Sequence, residues 1–186
     1  MRVARWRDAR ACLAITWEAM HERPRTLSVT EGEFWDRREW RRNRLGWGDR
    51  GTTLAAEIDG KVIGTLSCAR GSRAANRHAA EFGIIVGRAA RGLGAGRALI
   101  TAAEVWGVEH GVLRMTLGVF PYNERALRLY ESLGYVREGV ERDGVMFPEG
   151  GIDVIRMFKR IGPPRVRARG YDEVPATGAT EGEGDG

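Results

Sequence analysis

A glycine-rich turn that leads into a helix is the first place where this sequence could do chemistry. The strand-like stretch Phe82–Val86 is followed by Arg91-Gly92-Leu93-Gly94-Ala95-Gly96 and then by a helical segment. Glycines let the backbone approach a ligand without interference from a Cβ atom. Unpaired N–H groups at a helix start lie beside the positive end of the helix dipole, and they suit a phosphate or diphosphate. The turn therefore predicts an anion site, although a glycine-rich turn alone is a signal of low specificity.

Two common phosphate-binding motifs do not fit this turn. A P-loop ends in Gly-Lys-Ser/Thr, whereas Gly96 is followed here by Arg97 and Ala98. A dinucleotide-binding fingerprint requires a glycine at the position of Leu99 and an acidic residue at the end of the next strand, and Arg114–Val119 contains none. Both motifs are excluded on their chemistry.

The pattern Arg91-x-x-Gly94-x-Gly96 resembles the Arg/Gln-x-x-Gly-x-Gly/Ala signature of the GCN5-related N-acetyltransferase (GNAT) superfamily. The segment NERALRLYESLGYVREG resembles the later Asn-x-x-Ala-x-x-x-Tyr segment of that superfamily, at the family spacing. The segment GGIDVIRMFKR resembles the closing strand of the subgroup that contains amino-acid, spermidine and ribosomal-protein acetyltransferases. Together these segments cover residues 78–160, while the N-terminal part matches only loosely.

The resemblance implies an α/β (α+β) fold with a mixed, mostly antiparallel sheet that is splayed between its central strands and flanked by helices. It implies direct transfer of the acetyl group of acetyl-CoA to a primary amine, without an acetyl-enzyme intermediate and without a metal. A small amine such as an amino acid is the first expectation for the acceptor, and a protein N-terminus, a ribosomal protein or a polyamine is the alternative. A further alternative is a protein with this fold that binds coenzyme A as a sensor and transfers no acetyl group. Family members often form homodimers, but no residue of this sequence indicates one.

The resemblance also implies which residues hold the cofactor. The pantetheine arm would run along the strand at Ile84, Ile85 and Val86. The diphosphate would lie on the amides of the turn, with Arg97 as a nearby charge partner. The full set of expected cofactor residues is Ile84, Ile85, Val86, Arg91, Gly92, Leu93, Gly94, Ala95, Gly96, Arg97, Asn123, Ala126 and Tyr130.

Candidate catalytic residues follow from the same resemblance. Tyr130 lies two helical turns after Asn123, so both can face the cofactor, and Tyr130 would protonate the departing thiolate; the alternative is a core aromatic residue. Glu81 is the favoured general base, and the alternative is a solvated or salt-bridged carboxylate. Asp153 is the next candidate for the substrate pocket, although a structural role in a turn or hairpin is the favoured interpretation.

Periodicity and turn signals predict the elements that position these residues. A first helix is expected at Ala9–His21 with Asp8 as its cap, and a second helix is expected to start near Thr30, which stands in capping-box spacing with Glu33. The sequence Asp59-Gly60 predicts a hairpin turn. The remaining predicted elements are strands at Thr52–Ile58, Lys61–Arg70, Ala80–Val86, Arg114–Val119, Tyr135–Arg142 and Ile152–Lys159, and helices at Gly94–His110 and Asn123–Leu133.

Tryptophan and arginine are concentrated near the start of the chain, where Trp6, Trp17, Trp35, Trp40 and Trp47 interleave with arginines. One interpretation is a wall of the substrate pocket that includes Trp35. We favour the other, in which tryptophans pack in the core beneath an arginine-covered surface. Basic residues beside aromatic residues at 35–50 also allow a nucleic-acid-binding module, but no nucleic-acid fold signature accompanies them.

Composition indicates a globular protein of 186 residues with 42% hydrophobic and 30% charged residues. We expect one domain at 1–162 and a mobile, acidic, glycine-rich tail at 163–186. The net charge is +5, and the last fifteen residues hold five acids and no Lys or Arg. The rest of the chain therefore carries an excess of positive charge, which favours anionic ligands. Two cysteines and three scattered histidines form no metal-binding spacing. Without a signal peptide or an apolar span, a cytoplasmic protein with no membrane partner is expected.

Overall fold

The computed structural model describes residues 1–29, 36–45 and 48–163. The helices of this part are α1 (Ala9–Met20), α2 (Arg37–Leu45), α3 (Ala95–Glu109) and α4 (Glu124–Ser132). The strands are β1 (Arg2–Val3), β2 (Gly51–Ile58), β3 (Lys61–Arg70), β4 (Ala79–Val86), β5 (Arg114–Val119), β6 (Val136–Phe147) and β7 (Gly150–Arg160). The predicted helix start near Thr30, Trp35, Trp47 and the predicted tail beyond Pro163 lie outside the described residues.

The strands form one mixed sheet in the order β1-β2-β3-β4-β5-β7-β6. Within the described chain every neighbouring pair is antiparallel except β4 and β5, which run parallel. The β4–β5 ladder pairs only Ala79–Glu81 with Arg114–Thr116 and then stops. The following part of β4, Phe82–Val86, therefore has no strand partner on its β5 side in the described structure. The predicted mixed sheet, splayed between its central strands, is confirmed.

The hairpin and the helix ends agree with their local sequence signals. Asp59 and Gly60 have φ angles of +48° and +74°, as a type I′ turn requires. Gly134 follows α4 with φ of +84°, the left-handed conformation expected just after a helix. These positions were predictable because glycine tolerates this backbone geometry.

Three features of the sheet differ from the sequence prediction. β1 is not predicted, because two residues carry no periodic signal; it pairs with Leu54 and Ala55 of β2. β6 continues beyond Arg142 to Phe147. Asp143 and Gly144 look like a turn in the sequence, but they form an irregularity between Glu141 and Val145, where Asp143 has φ of +49°. A bulge of this kind bends a strand without ending it.

The main core lies where α3 and α4 pack on the sheet. Leu99, Ile100 and Ala103 of α3 are fully buried against Met115 and Leu117 of β5, in one cluster. The helical repeat predicts an inner face of α3 at Ala95, Ala98, Leu99, Ala102 and Trp106. Ala95 and Leu99 are buried, whereas Ala98, Ala102 and Trp106 are only half-buried, so the buried face is rotated slightly from the prediction. No helix in the described part of the chain is long and apolar enough to cross a membrane.

The tryptophans of the N-terminal region divide between core and surface. Trp40 of α2 is 4% exposed and packs in a second cluster with Cys12 and Leu13 of α1. Trp6 is 59% exposed, and the guanidinium groups of Arg7 and Arg41 lie over its ring. Trp40 is therefore a core tryptophan, as the favoured interpretation of this region predicts. Since Trp40 is buried, it is not available to stack on a base.

Asp8 stabilises the N-terminus in a way that differs from the prediction. It precedes α1 but makes no side-chain cap bond to that helix. Instead its carboxylate accepts hydrogen bonds from Arg2 Nη1 at 2.6 Å, Arg2 Nη2 at 2.9 Å and the Arg5 amide at 2.6 Å. The predicted cap is wrong because the Arg2 guanidinium and the Arg5 amide occupy both oxygens. The hydrogen bonds from Arg2 lower the pKa of Asp8 below its ordinary value of 3.8, although burial opposes that shift.

Replacing Asp8 by asparagine is expected to lower the free energy of unfolding by about 1–3 kcal/mol at pH 7, because charge-assisted hydrogen bonds are lost. The pKa of Asp8 is lower in the folded than in the unfolded chain, so its contribution is present above pH 3.8 and is lost as the pH falls below that value. Urea denaturation at pH 7 and at pH 3 measures both effects. Asp59→Asn, in the exposed hairpin turn, is the control and should stay within about 0.5 kcal/mol of the parent. An equal loss for Asp8→Asn at both pH values would contradict this account.

Candidate active site

A cavity of about 830 Å³ opens where β4 and β5 part. One end is formed by the glycine-rich turn and the first residues of α3, and the other end lies between β4 and the β6–β7 hairpin. The exposed backbone edge of β4, the residues Phe82–Val86, runs along the cavity. An unpaired strand edge is a template to which an extended ligand can add as if it were a strand.

The glycine-rich turn has the geometry of an anion site. Gly92 and Gly94 adopt φ angles of +88° and +81°, which favour glycine. Gly94 is the N-cap of α3, and no side chain caps that helix end. The first amides of α3, from Ala95 onward, thus keep free N–H groups. A Cβ atom at Gly94 would have no neighbour within 4 Å, so there is open space in front of these amides.

Gly96 serves a different purpose from Gly92 and Gly94. A Cβ atom at Gly96 would lie 3.1 Å from Leu129 Cδ2 of α4. The third glycine of the pattern therefore lets α3 and α4 approach each other closely. Gly96 and Leu129 both line the cavity at this contact.

The arginines of the turn are held by other parts of the chain. Arg91 donates from Nε to the Val86 carbonyl at 3.1 Å and from Nη2 to Glu22 Oε1 at 2.6 Å. Arg97, the predicted charge partner, donates to Ser132 Oγ at 2.8 Å and still lines the cavity. Arg125 Nη2 lies 4.0 Å from the position of a Cβ on Gly92, and the sequence analysis did not identify this cation. Leu93 is 66% exposed and is not among the residues that line the cavity.

One face of α4 lines the middle of the cavity. Asn123 is the N-cap of α4, and its Oδ1 accepts a hydrogen bond from the Ala126 amide at 3.3 Å. Asn123, Ala126 and Tyr130 all line the cavity, as the predicted helical face requires. Ile84, Ile85 and Val86 line it from the β4 side.

Tyr130 is buried, with 6% of its surface exposed. Its ring packs edge-on against Phe82 and Tyr135 at centroid distances of 6.2 Å and 6.1 Å. Burial raises the pKa of Tyr130 to about 12, so the phenol keeps its proton at neutral pH. Its hydroxyl makes no hydrogen bond to any residue that the structure describes, which leaves its proton available to a group in the cavity.

A group of three charged side chains lies at the other end of the cavity. Arg156 of β7 donates from Nη1 to Glu81 Oε1 at 2.9 Å, and its Nε lies 3.6 Å from Glu141 Oε1. All three residues line the cavity, together with Arg44 of α2. The hydrogen bond to Glu81 raises the pKa of Arg156, although burial opposes the rise. Burial lowers the pKa of Arg44.

Asp153, the next predicted pocket residue, is not brought to this cavity. Asp153 is not among the lining residues, and its carboxylate accepts from Arg142 Nη1 at 2.6 Å and from the Asp143 amide at 3.0 Å. The amide of Asp143, followed by Arg142, lowers the pKa of Asp153. Asp153 is an odd number of positions from Arg156, so the two side chains leave β7 on opposite faces. Trp35 lies outside the described residues.

Sequence reasoning missed Arg156 and Glu141. The available signal was the position of Arg156 in the run Val154-Ile155-Arg156-Met157-Phe158, where a cation interrupts apolar residues of the closing strand. A charged residue within such a run requires a partner or a ligand. In the described part of the chain, no group of three or more His, Cys, Asp or Glu side chains could hold a metal ion.

Both the sequence and the structure are similar to those of known acetyltransferases. Residues 14–135 match the model of the acetyltransferase (GNAT) family. No protein with a curated function matches the sequence significantly. The structure is similar to that of a ribosomal-protein-alanine N-acetyltransferase from Brucella melitensis, with 28% sequence identity, 86% of this chain and 98% of that chain covered, and a TM-score of 0.72.

Two further structures have the same fold. An acetyltransferase of the GNAT family from Streptococcus pneumoniae is 26% identical, with 87% of this chain and 98% of that chain covered and a TM-score of 0.70. A phosphinothricin acetyltransferase from Sinorhizobium meliloti, solved in complex with acetyl-CoA, is 22% identical, with 87% of each chain covered and a TM-score of 0.75. The family match spans most of the sheet, the glycine turn and α4, and so this chain belongs to the GNAT family of acetyltransferases, with acetyl-CoA as its co-substrate.

Proposed function

We propose that this enzyme transfers the acetyl group of acetyl-CoA directly to the primary amine of a small molecule, with an amino acid as the first candidate. The observation that supports this proposal is the single cavity that connects the glycine turn, Tyr130 and the pair Glu81–Arg156. Such a cavity can hold a thioester and an amine next to each other, and positioning supplies much of the rate of a bimolecular transfer.

The residues of the turn and of β4 fit the cofactor. The free amides from Gly92 to Gly96 suit a diphosphate, and the open space at Gly94 leaves room for it. The unpaired edge at Ile84–Val86 suits the amide groups of a pantetheine arm. Because Asn123 Oδ1 caps α4, the side-chain amide nitrogen of Asn123 is the group we assign to that arm. Acetyl-CoA supplies the acetyl group as a thioester.

Two side chains would move the protons. Glu81 takes a proton from the bound ammonium, which leaves a neutral amine to attack the thioester carbonyl carbon. The carbon–nitrogen bond forms and the carbon–sulfur bond breaks as Tyr130 donates its phenolic proton to the sulfur. The nitrogen releases its second proton to water as the amide forms, and Tyr130 regains a proton from solvent. A buried phenol with its proton in place is a suitable donor to a thiolate that forms beside it.

The charges at the acceptor end favour a small zwitterion over a polyamine. Among the described residues that line that end, Arg44 and Arg156 match Glu81 and Glu141 in number, whereas a polycation requires an excess of acids. The names of the relatives point to different acceptors, phosphinothricin in one case and a ribosomal-protein alanine in the other. A protein N-terminus therefore stays the alternative, within the subgroup of amino-acid, spermidine and ribosomal-protein acetyltransferases.

Thiol release from acetyl-CoA, measured against a panel of amines, tests this proposal. We expect at least one amino acid to show a kcat/KM about tenfold or more above those of polyamines and of short peptides with free N-termini. A higher value for the peptides would transfer the assignment to protein substrates. If the protein is instead retained on nucleic acid in a salt-sensitive manner and acetyl-CoA does not raise its Tm, the nucleic-acid alternative replaces the proposal.

A further inference from the structure

The ion pair between Glu81 and Arg156 joins two strands that the sheet separates. Glu81 lies on β4, at the last residue of the β4–β5 ladder, and Arg156 lies on β7, on the far side of β5. The guanidinium must therefore cross β5 to reach the carboxylate. The three strands have the order β4-β5-β7, so this contact spans the splay at the base of the cavity.

Gly118 of β5 leaves the space for this crossing. It pairs directly with Arg156 in the β5–β7 register, so the two residues share one face of the sheet. A Cβ atom at position 118 would lie 3.2 Å from Arg156 Nη1 and 2.8 Å from Val154 Cγ1. The bare backbone at this position is what allows the guanidinium to lie across β5.

The Arg156 guanidinium has more donors than its present partners use. Nη1 donates to Glu81, and Nε is 3.6 Å from Glu141. Within the described structure Nη2 donates to no acceptor, although arginine can bind a carboxylate with two parallel hydrogen bonds. The Arg156 side chain is 27% exposed and that of Glu81 is 58% exposed. A pair so open to solvent is held weakly, and it can be exchanged for another anion at small cost.

We propose that Arg156 binds a carboxylate of the acceptor, and that this carboxylate takes the place of Glu81 on the guanidinium. Glu81 is then free to accept the proton of the substrate's ammonium group. The inference rests on the proposed function and names the acceptor class more closely, as a small amine that carries a carboxylate near its amino group. Only an acceptor with both groups satisfies Arg156 and Glu81 together. A polyamine or a peptide N-terminus lacks the anion and leaves Glu81 paired with Arg156.

Matched acceptors test this exchange. An α-amino acid that the wild type acetylates is compared with its methyl ester and its decarboxylated amine, by thiol release from acetyl-CoA across pH 6–9. We expect the wild type to prefer the acid over both analogues by about 10²-fold in kcat/KM, because the acid gains charge-assisted hydrogen bonds with Arg156 and frees Glu81, whereas an analogue leaves Glu81 paired with Arg156. In Arg156→Gln that preference should fall to within about threefold, mostly through a higher KM for the acid.

Arg142→Gln is the matched control. It removes the same side chain from the neighbouring strand, where Arg142 is 82% exposed and pairs with Asp153 outside the cavity. It should leave the preference for the acid unchanged. Arg156→Lys keeps the charge without the planar fork, and it should retain only part of the preference.

The outcomes separate this inference from the proposed function. If the wild type acetylates the acid and the ester equally well, the inference is wrong while the proposed function stands. If no small amine is acetylated although acetyl-CoA raises the Tm, the proposed function is wrong and the inference falls with it. If Arg156→Gln does not fold, the comparison of acid and ester in the wild type and in Arg156→Lys still decides the question.

Discussion

Replacing Tyr130 by phenylalanine is expected to lower kcat by about 10²-fold or more, which corresponds to about 2.7 kcal/mol in the activation free energy. The substitution removes one hydroxyl group from a buried ring. It retains the edge-on packing against Phe82 and Tyr135. The thiolate would then leave without a proton donor. Acetyl-CoA affinity should change by less than about threefold, because the hydroxyl acts on the departing sulfur and not on the bound ground state.

The pH dependence of this effect follows from the burial of Tyr130. Its pKa is raised to about 12, so the phenol stays protonated and competent as a donor throughout the range from pH 6 to pH 10. The rate of the wild type should therefore show no loss in this range that comes from ionisation of Tyr130. A descending alkaline limb near pH 10 that vanishes in Tyr130→Phe would contradict the raised pKa of Tyr130.

Tyr135→Phe is the matched control for Tyr130→Phe. Tyr135 is a second buried tyrosine whose ring touches that of Tyr130, but it is not among the residues that line the cavity. Within the part of the chain that the structure describes, its buried hydroxyl has no hydrogen-bond partner. Losing that hydroxyl should leave kcat within about threefold of the parent, because no reacting group depends on it. If both variants lose activity to the same extent, the effect is one of packing and Tyr130 is not the proton donor.

Replacing Gly94 by glutamate is expected to weaken acetyl-CoA binding by about 10²-fold or more. Gly94 has φ of +81° and opens onto the amides at the start of α3. Glutamate there puts a negative charge and a side chain in front of the helix N-terminus that would hold the diphosphate. Isothermal titration with acetyl-CoA, or its effect on Tm, measures the change without relying on turnover.

Gly111→Glu separates this effect from backbone strain. Gly111 has φ of +73°, and a Cβ atom there also has no neighbour within 4 Å. It follows α3 at the opposite end of the helix from the turn, so the same strain and the same charge are introduced far from the cavity. Gly111→Glu should lose stability but retain acetyl-CoA affinity within about threefold. If Gly94→Glu and the parent bind acetyl-CoA with equal affinity, the turn is not part of the cofactor site.

The parts of the site that lie within one stretch of chain were predictable from the sequence. The glycine turn depends on backbone conformations that glycine favours, and Asn123 and Tyr130 share a face because of the helical repeat. Each of these patterns is local, so periodicity and turn chemistry were sufficient to locate them. The resemblance to the GNAT superfamily then assigned them a chemistry, and the family match supports that assignment.

The parts of the site that join distant strands could not be obtained in this way. Glu81 and Arg156 are 75 positions apart, and only the order β4-β5-β7 and the register Gly118–Arg156 bring them together. Asp153 was predicted for the pocket and Arg156 was missed, because sequence alone does not show which face of β7 points into the cavity. Glu22 and Arg91, which tie the loop after α1 to the glycine turn, are likewise separated along the chain.

The sequence by itself predicted most of the helices and strands, the glycine turn and the helix that carries Tyr130, because those follow from short-range backbone preferences and side-chain periodicity. The tertiary structure alone decided the residue at which β4 and β5 part, the extra length of β6 and the charged group around Arg156. These features depend on strand register, and a shift of one residue in register reverses the face on which every side chain lies.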